Sequence, residues 1–430
     1  AFVVCNDYRR GDLKPYIFRT RNYGQTWERM IDENKVKGYA LCMIQDPVEP
    51  NLIFVGTEHG LWISFDNGVS FQQWKNGYPS VSTYDLAIQE RESDLVVATF
   101  GRAIYIFDDI KAFRKAAANN GNAFTKKLTL FQPPTAYMAR YRPQPGYDWS
   151  SWGLYEGENR DRGASYSFFI SPKSDSAKKM KTDSATVRIY SQSNELIRTI
   201  KMKVDSGFNR KSWGFEMKGI RQPNSPKPKA DAPEPRGNTV FPGTYKMLMT
   251  VGKETDSAMI VVNPDPNVIE SKEIYDAKIA MLTRLEKSTM RLTEITDRFS
   301  EAEESIAKVE AQLKNEEGKE ADSLRKTGNA MKDSIKSIRN FIFGKPQEKQ
   351  GYGSPFQVTV SDVLNDAIGE VQQKTKIPDQ QEIRLANEAE GLVNEAVQKT
   401  NAFFNGKWED YKNLVEKTQV KLFKSYKVVE

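Results

Sequence analysis

Acidic side chains are the first residues of this sequence whose type suits chemistry. Asp7, Asp12, Glu58, Asp85 and Asp109 all fall early in the chain, and Asp7, Asp12 and Asp85 stand near the ends of expected strands. Carboxylates do acid–base work when two are held at a fixed separation across a bond. Nothing in the local sequence pairs any two of these five. His59 is the only histidine, in the turn "EHG". With no second histidine and both cysteines elsewhere, a zinc site has no ligand set, and no motif supports a nucleophile–histidine–acid triad. "GKEADSLRKTGNAMKDS" has the glycines and lysines of a phosphate loop but not their spacing. Cys5 and Cys42 are expected in strands of neighbouring units. A bridge between them needs Cα atoms within about 7 Å, and free thiols are the expectation.

The elements that position these residues begin with a short polar pattern. "TRNYGQTW" contains Thr20, Asn22, Gly24, Thr26 and Trp27 at hairpin spacing. Gly24 supplies a positive φ, and the Asn22 side chain bonds the backbone ahead of it. "SFDNGVSF" repeats the pattern as Ser64, Asp66, Gly68, Ser70 and Phe71. A third segment, "LVVATFGRAIYIFDD", continues the series, with Thr99 matching Thr57 and Asp108 matching Asp66 at a further hairpin position. Short strands recurring every 40–50 residues or so mark the blades of a β-propeller.

Composition bounds the class. The chain has 430 residues, 38% hydrophobic and 28% charged, and its 63 basic and 57 acidic residues leave a net charge of +6 with the signs interspersed. That pattern excludes a nucleic-acid footprint, and no apolar run approaches the roughly 18 residues of a membrane span. Two cysteines exclude a disulfide scaffold.

Four regions follow. Residues 1–110 hold about two and a half blades, too few to close a propeller of roughly four to eight, so the chain reads as the carboxy-terminal part of a longer protein. "YALCMIQD", "NLIFVGTE", "GLWISFD" and "SFQQW" form one blade, and "TYDLAIQE", "DLVVATF" and "AIYIFDD" most of the next. Residues 111–162 read as an irregular crossover, in which "KLTLFQ" offers a closing strand. Its Tyr137, Tyr141, Tyr147, Trp149, Trp152 and Tyr155 suit interdomain packing more than sugar stacking. Residues 163–263 alternate in sandwich fashion, with Tyr245, Met247, Met249 and Val251 on one face. A stretch with five prolines, "RQPNSPKPKADAPEPRGN", reads as an extended surface loop. Residues 270–430 carry apolar stripes at helical steps, with Ser361 the expected cap of one helix, and predict a bundle. The expected fold is multidomain: a partial β-propeller and an immunoglobulin-like β-sandwich, both all-β, then an all-α helical bundle.

The two polar boxes, the run "LKPYIFRTRNYGQTW…PNLIFVGTEHGLWISFDNGVSF…DLVVATFGRAIYIFDD", the "GENRDRGASYSFFI" junction, "PGTYKMLMTVG" and the helical tail resemble, in order, the bacterial sortilin-type, glycosidase-like propeller proteins with Asp-boxes (BNR repeats). Asn22 departs from the family's usual aspartate. The resemblance implies an exported protein, periplasmic, secreted or at the cell surface, within a larger cell-envelope assembly. It also implies a non-catalytic binding or scaffolding role toward a protein or glycan ligand, without cofactor or metal. The alternative it implies is a glycoside hydrolase whose two acids, about 5–9.5 Å apart, lie largely in blades outside this chain.

Overall fold

The computed structural model describes residues 1–118, 124, 126–139, 162–171, 183–229, 231–269, 271–314, 316–345 and 358–418. The chain divides into two compact units. The first is Ala1–Phe215 with Pro242–Asp265, and the second is Glu216–Phe241 with Pro266–Glu430.

The first unit opens with three antiparallel sheets. Strands β1 (Phe2–Asp7), β2 (Asp12–Arg19) and β3 (Glu28–Arg29) form the first, and β4 (Ala40–Gln45), β5 (Ile53–Thr57), β6 (Gly60–Ser64) and β7 (Gln72–Gln73) form the second. Strands β8 (Thr83–Gln89), β9 (Asp94–Thr99) and β10 (Ile104–Phe107) form the third. The two-residue period of a strand explains the stacking. On β5 and β6, Ile53, Val55 and Trp62 face a core shared with Ile17, Met30 and Ile31 of the first sheet region. The alternating residues Phe54, Leu61 and Ile63 face a second core, with Leu86, Leu95 and Val97 of the third sheet. The second sheet is therefore covered on both faces, and β5 and β6 are buried throughout.

The repeat hairpins fix the correspondence between sheets. One joins β2 to β3, the other β6 to β7, so β1–β3 match β5–β7. Thr57 Oγ1 donates to Gly60 O at 3.2 Å and Thr99 Oγ1 to Ala103 O at 2.7 Å, so β8–β10 match β4–β6. Asp108, expected in a third polar hairpin, is not in one. After β10 the chain enters helix α1 (Lys111–Ala117), steered by Asp94 Oδ1, which accepts from the Asp109 amide at 2.9 Å, and by Ser93 O, which accepts from Ile110 at 2.7 Å.

The stretch expected to be an irregular crossover thus begins with a helix. It goes on with β11 (Leu128–Leu130) and β12 (Ala136–Tyr137). Strand β11, from "KLTLFQ", does not close the third sheet. It pairs with β13 (Ala164–Ile170), which also pairs with β16 (Gly207–Trp213). The remaining strands are β14 (Asp183–Tyr190), β15 (Leu196–Val204), β17 (Glu216–Lys218), β18 (Arg236–Thr239), β19 (Gly243–Val251) and β20 (Glu254–Asn263). A second sheet runs β12-β20-β19-β14-β15. The two sheets meet where Trp213 abuts Tyr245 edge-on at 5.4 Å and the Tyr166 hydroxyl reaches Met202 Sδ at 3.9 Å. Tyr245, Met247, Met249 and Val251 are all buried. Tyr141, Tyr147, Trp149, Trp152 and Tyr155 lie outside the described residues, and Tyr137 is exposed.

Among its described residues the second unit holds five α-helices: α2 (Lys272–Leu313), α3 (Lys319–Phe343), α4 (Val360–Gln373), α5 (Gln380–Phe403) and α6 (Glu409–Lys417). They pack around Leu285, Leu292, Phe299, Ile306, Ile335, Val371 and Val393. Thr359, not Ser361, caps α4. Its hydroxyl accepts from the Asp362 amide while Asp362 reaches back to the Thr359 amide, so the reciprocal box fixes the start two residues earlier. A π-helical turn, Phe404–Trp408, joins α5 to α6 without a loop. The proline-containing excursion is flanked by the β17–β18 hairpin and belongs to this unit. Arg221 pairs with Asp297 at 2.5 Å, Lys227 with Glu301 at 2.7 Å, and Asn238 Nδ2 donates to Glu286 at 2.8 Å. It lies along α2 as a strap.

Candidate functional site

Both repeat hairpins close on one hydrogen-bond network. In the first, Asn22 Oδ1 accepts from the Thr26 amide at 2.9 Å and the Thr20 hydroxyl at 3.0 Å, while Thr20 Oγ1 accepts from the Gly24 amide at 2.9 Å. In the second, Asp66 Oδ1 accepts from the Ser70 amide at 2.9 Å and the Ser64 hydroxyl at 2.8 Å, and Ser64 Oγ accepts from the Gly68 amide at 2.8 Å. Only the outer bond reverses. Asn22 Nδ2 donates to Thr26 Oγ1 at 2.9 Å, whereas the Ser70 hydroxyl donates to Asp66 Oδ2 at 2.5 Å. An amide carries its own donor, so asparagine occupies the aspartate position and keeps the outer bond, losing only the second contact that the Ser70 amide makes with Asp66 Oδ2 at 3.1 Å. Burial pushes the Asp66 carboxyl up, but the bonds from Ser70 and Ser64 outweigh it and hold the carboxyl below its ordinary range. Trp27 Nε1 donates to Gly24 O at 3.1 Å, and Phe71 packs on the core between the first two sheets. The side chains of Thr20, Asn22, Thr26, Ser64, Asp66 and Ser70 bond within their own turns, while Asn67 Oδ1 accepts from Arg19 Nη1 at 3.0 Å.

Their backbones coincide as well. Tyr23 and Gly24 have φ of 57° and 90°, and Asn67 and Gly68 have 55° and 83°. A left-handed tyrosine is strained, and Tyr23 is fully exposed, so its ring offers no compensating burial. Tyr23→Asn is expected to stabilise the protein by about 1 kcal/mol, read as a raised denaturant midpoint.

At one end of the stack, tyrosines from all three sheet regions gather. Tyr8 follows β1, Tyr39 precedes β4 and Tyr84 lies in β8. Tyr8 and Tyr39 stack with centroids 4.7 Å apart and planes 12° apart. The Arg9 guanidinium lies 5.9 Å from the Tyr8 centroid, and Tyr84 leans on Phe100 at 5.7 Å. Burial first, then Glu58, Tyr84 and Tyr8, push the Tyr39 hydroxyl above the ordinary phenol range. Two bulges build this end. Cα partners step from Ala40–Thr57 to Cys42–Gly56, and from Thr83–Thr99 to Asp85–Ala98, leaving Leu41 and Tyr84 as extra residues. A bulge re-aims a side chain, and Tyr84 is 48% exposed as a result. Strand periodicity does not point to these tyrosines, because Tyr8 and Tyr39 lie outside the strands and Tyr84 is the added residue of a bulge.

Of the five carboxylates, the structure brings Asp7 and Asp12 together as cross-strand partners at the end of β1 and β2, but each is engaged by its own neighbours. Asp7 pairs with Arg10 at 3.8 Å. Asp12 accepts from the Tyr16 hydroxyl at 2.8 Å and the Lys14 amide at 3.1 Å, which together hold its carboxyl below the ordinary range. Glu58 neighbours His59 at 3.7 Å, Asp85 accepts from the Leu86 amide at 2.9 Å, and Asp109 takes the Lys111 amide at 3.4 Å. No two of these five share a partner in those contacts. Among the described residues, no group of three or more His, Cys, Asp or Glu is placed to hold a metal ion, and no helix is long and apolar enough to cross a membrane. Both cysteines are free thiols, Cys5 exposed and Cys42 turned toward Thr83 O at 3.5 Å.

Asp109 has the distinctive ionisation. Burial lifts its carboxyl above the ordinary range, against the pull of Lys111 and Arg210, and only 13% of its side chain is exposed. A carboxyl raised on folding favours the native state below its unfolded pKa, and that contribution is lost as pH rises through the folded pKa. Asp109→Asn removes the buried charge, keeps an acceptor for the Lys111 amide and suits the φ of 47°. Its melting temperature is expected to exceed that of the parent at pH 7. The gain should shrink to nothing as pH falls below about 3.9.

No family model matches the chain, and no curated protein matches it. Among solved structures, the extracellular domain of a putative hybrid two-component system from B. thetaiotaomicron aligns at 9% identity over 58% of this chain, with a TM-score of 0.21. A second structure, described as pT26-6p, aligns at 12% identity over 60% of this chain, with a TM-score of 0.12. The aligned portions span 30% and 47% of those chains. Such scores assign neither fold nor activity.

Proposed function

We propose that this chain belongs to a non-catalytic, exported or cell-surface binding or scaffolding protein that presents propeller loops to a protein or glycan ligand. The three amino-terminal sheets are then consecutive blades of a sortilin-like β-propeller, the first two carrying Asp-boxes, the two sheets after them an immunoglobulin-like module, and the helices a docking or spacer bundle. The observation that carries this reading is the gathering of Tyr8, Tyr39 and Tyr84 at one end of the stack. Tyrosine suits such a surface because its apolar ring carries a polar tip at low entropic cost. Two further features support the blade reading. The outward face of the third sheet exposes Ile104, Ile106 and Phe100, and that of the first exposes Val3. The first sheet also lacks a described counterpart of β4, and the third a described counterpart of β7.

The test is capture on peptide and glycan arrays by the parent, Tyr39→Ala and Tyr84→Ala proteins. Each substitution is expected to weaken capture by tenfold or more, the loss of a tyrosine at a binding hot spot. Undiminished capture by both variants, or none by the parent, contradicts the proposal.

A further inference from the structure

Among the described residues the third sheet has one strand fewer than the second, and the second shows what that place takes. Strand β7 lies antiparallel along the outer edge of β6, with Gln73 opposite Trp62 and Gln72 opposite Ile63. The Trp74 amide donates to Leu61 O at 2.8 Å. The first sheet repeats the arrangement on β2. There Arg29 stands opposite Phe18, Glu28 opposite Arg19, and the Met30 amide donates to Ile17 O at 2.8 Å. Both added segments read large, polar, polar, large: Trp27-Glu28-Arg29-Met30 and Phe71-Gln72-Gln73-Trp74.

Strand β10 is the matching edge. Gly60 and Ala103 hold equivalent places, so Leu61 and Ile63 correspond to Ile104 and Ile106. The Thr99 amide donates to Ala103 O at 3.2 Å. Main-chain groups alternate in direction along a strand, so Tyr105 and Phe107 turn theirs to β9, and Ile104 and Ile106 turn theirs outward. Among the described residues no strand pairs with that side of β10. The Ile104 and Ile106 side chains are 65% and 60% exposed, whereas Leu61 and Ile63, under the next sheet, are buried. A cleft of about 240 Å³ is lined by Tyr105, Ile106 and Phe107 together with Trp74 and Phe208. One step beyond the β6–β7 register, Phe71 stands opposite Ser64, and the place of Ser64 on β10 is Phe107. The first large residue of an added strand therefore falls at this cleft.

We propose that β10 accepts an extended peptide as a fourth strand of the third sheet, antiparallel to β10. An aromatic residue of the peptide lies opposite Phe107, and a large apolar residue three positions later lies opposite Ile104. The main-chain ladder supplies affinity, and the two large residues supply specificity. A second copy of this chain pairing through its own β10 does not offer that pattern, because Ile104-Tyr105-Ile106-Phe107 has no polar pair at its centre. The peptide site does not depend on what the tyrosine-lined end binds.

The probe is a fluorescent peptide with the sequence of Val69–Asn76, VSFQQWKN, titrated with the whole chain and read by anisotropy. Binding is expected with a dissociation constant below about 1 mM. Methylating the peptide nitrogens that match Gln72 and Trp74 removes two ladder donors and keeps every side chain, and should weaken binding by about tenfold or more. Ile106→Pro removes the outward N–H of β10, at an edge position where proline is tolerated. It should cause a similar loss while far-UV circular dichroism keeps the parent spectrum. If Ile106→Pro does not fold, the methylated peptide alone decides. No binding at about 1 mM overturns the proposal. So does unchanged affinity of the methylated peptide or of a folded Ile106→Pro protein. A dimer in sedimentation velocity that folded Ile106→Pro abolishes would give the edge to a second copy and overturn it as well.

Discussion

Asp46→Ala is expected to cost about 3–5 kcal/mol, the penalty for leaving a buried charge without its partner. The Asp46 side chain is fully buried, and only 12% of the Arg114 side chain is exposed. Arg114 Nε lies 3.0 Å and 2.9 Å from the two carboxylate oxygens, and Nη2 adds an ion pair at 2.9 Å. Asp46 Oδ1 also takes the amides of Val48 and Glu49 at 2.9 Å and 2.7 Å, so the same carboxylate shapes the β4–β5 turn. Arg114 Nη1 donates to Ser93 Oγ at 2.9 Å, on the corresponding β8–β9 turn. One guanidinium on α1 therefore binds equivalent turns of two successive sheets. The same helix sets Phe113 against Trp74 at 5.2 Å and Phe208 at 5.1 Å. Urea unfolding measures the loss. Adding Arg114→Met to Asp46→Ala should recover part of it, since the stranded cation is gone. A loss below about 1 kcal/mol would place the pair among weak surface bridges.

Gly56→Ala should destabilise the junction of the second and third sheets by about 1–3 kcal/mol or more, the cost of overpacking a filled core. A Cβ at Gly56 would lie 2.4 Å from Cys42 Sγ, 2.6 Å from Thr83 O and 2.7 Å from Thr83 Cγ2. The Thr83 oxygen is backbone and cannot rotate away, so the sheets must part. Cys42 reports the parting. Burial pushes its thiol up to about 12, so at pH 8 a thiol reagent should modify Cys5 quickly and Cys42 slowly. In Gly56→Ala the second modification should accelerate with the fall in the unfolding midpoint. An unchanged midpoint with Cys42 still protected would show that the two bulges absorb the methyl group.

Short-range features of this chain are legible from residue types because their causes are short-range. The Asn22 and Asp66 hairpins are specified by side chains that bond within four residues of themselves. The alternation of Tyr245, Met247, Met249 and Val251 reports a buried face directly. Features made by distant partners are not legible in this way. Asp108 has the composition of a third hairpin, yet the chain turns into α1 under the hold of Ser93 and Asp94, and Arg210 binds the Asp108 carbonyl from about a hundred residues away. "KLTLFQ" has the pattern of any edge strand, and only the register with Phe168–Ile170 decides its partner. Thr359, rather than Ser361, caps α4 because Thr359 and Asp362 form the reciprocal box around it. Tyr84 is an added bulge residue, invisible to a period-two count. The candidate surfaces arise from such nonlocal features, so they emerge only with the fold.

A chain that binds its ligand without cleaving it is silent in a hydrolysis assay. The protein, incubated with a panel of β-glucans and sialosides, is expected to release no reducing sugar or sialic acid above the buffer rate, because the adjacent Asp7 and Asp12 are each engaged, by Arg10 and by the Tyr16 hydroxyl, and Glu58, Asp85 and Asp109 each meet a different neighbour. Release that is lost when one of these acids is changed to alanine would contradict the account.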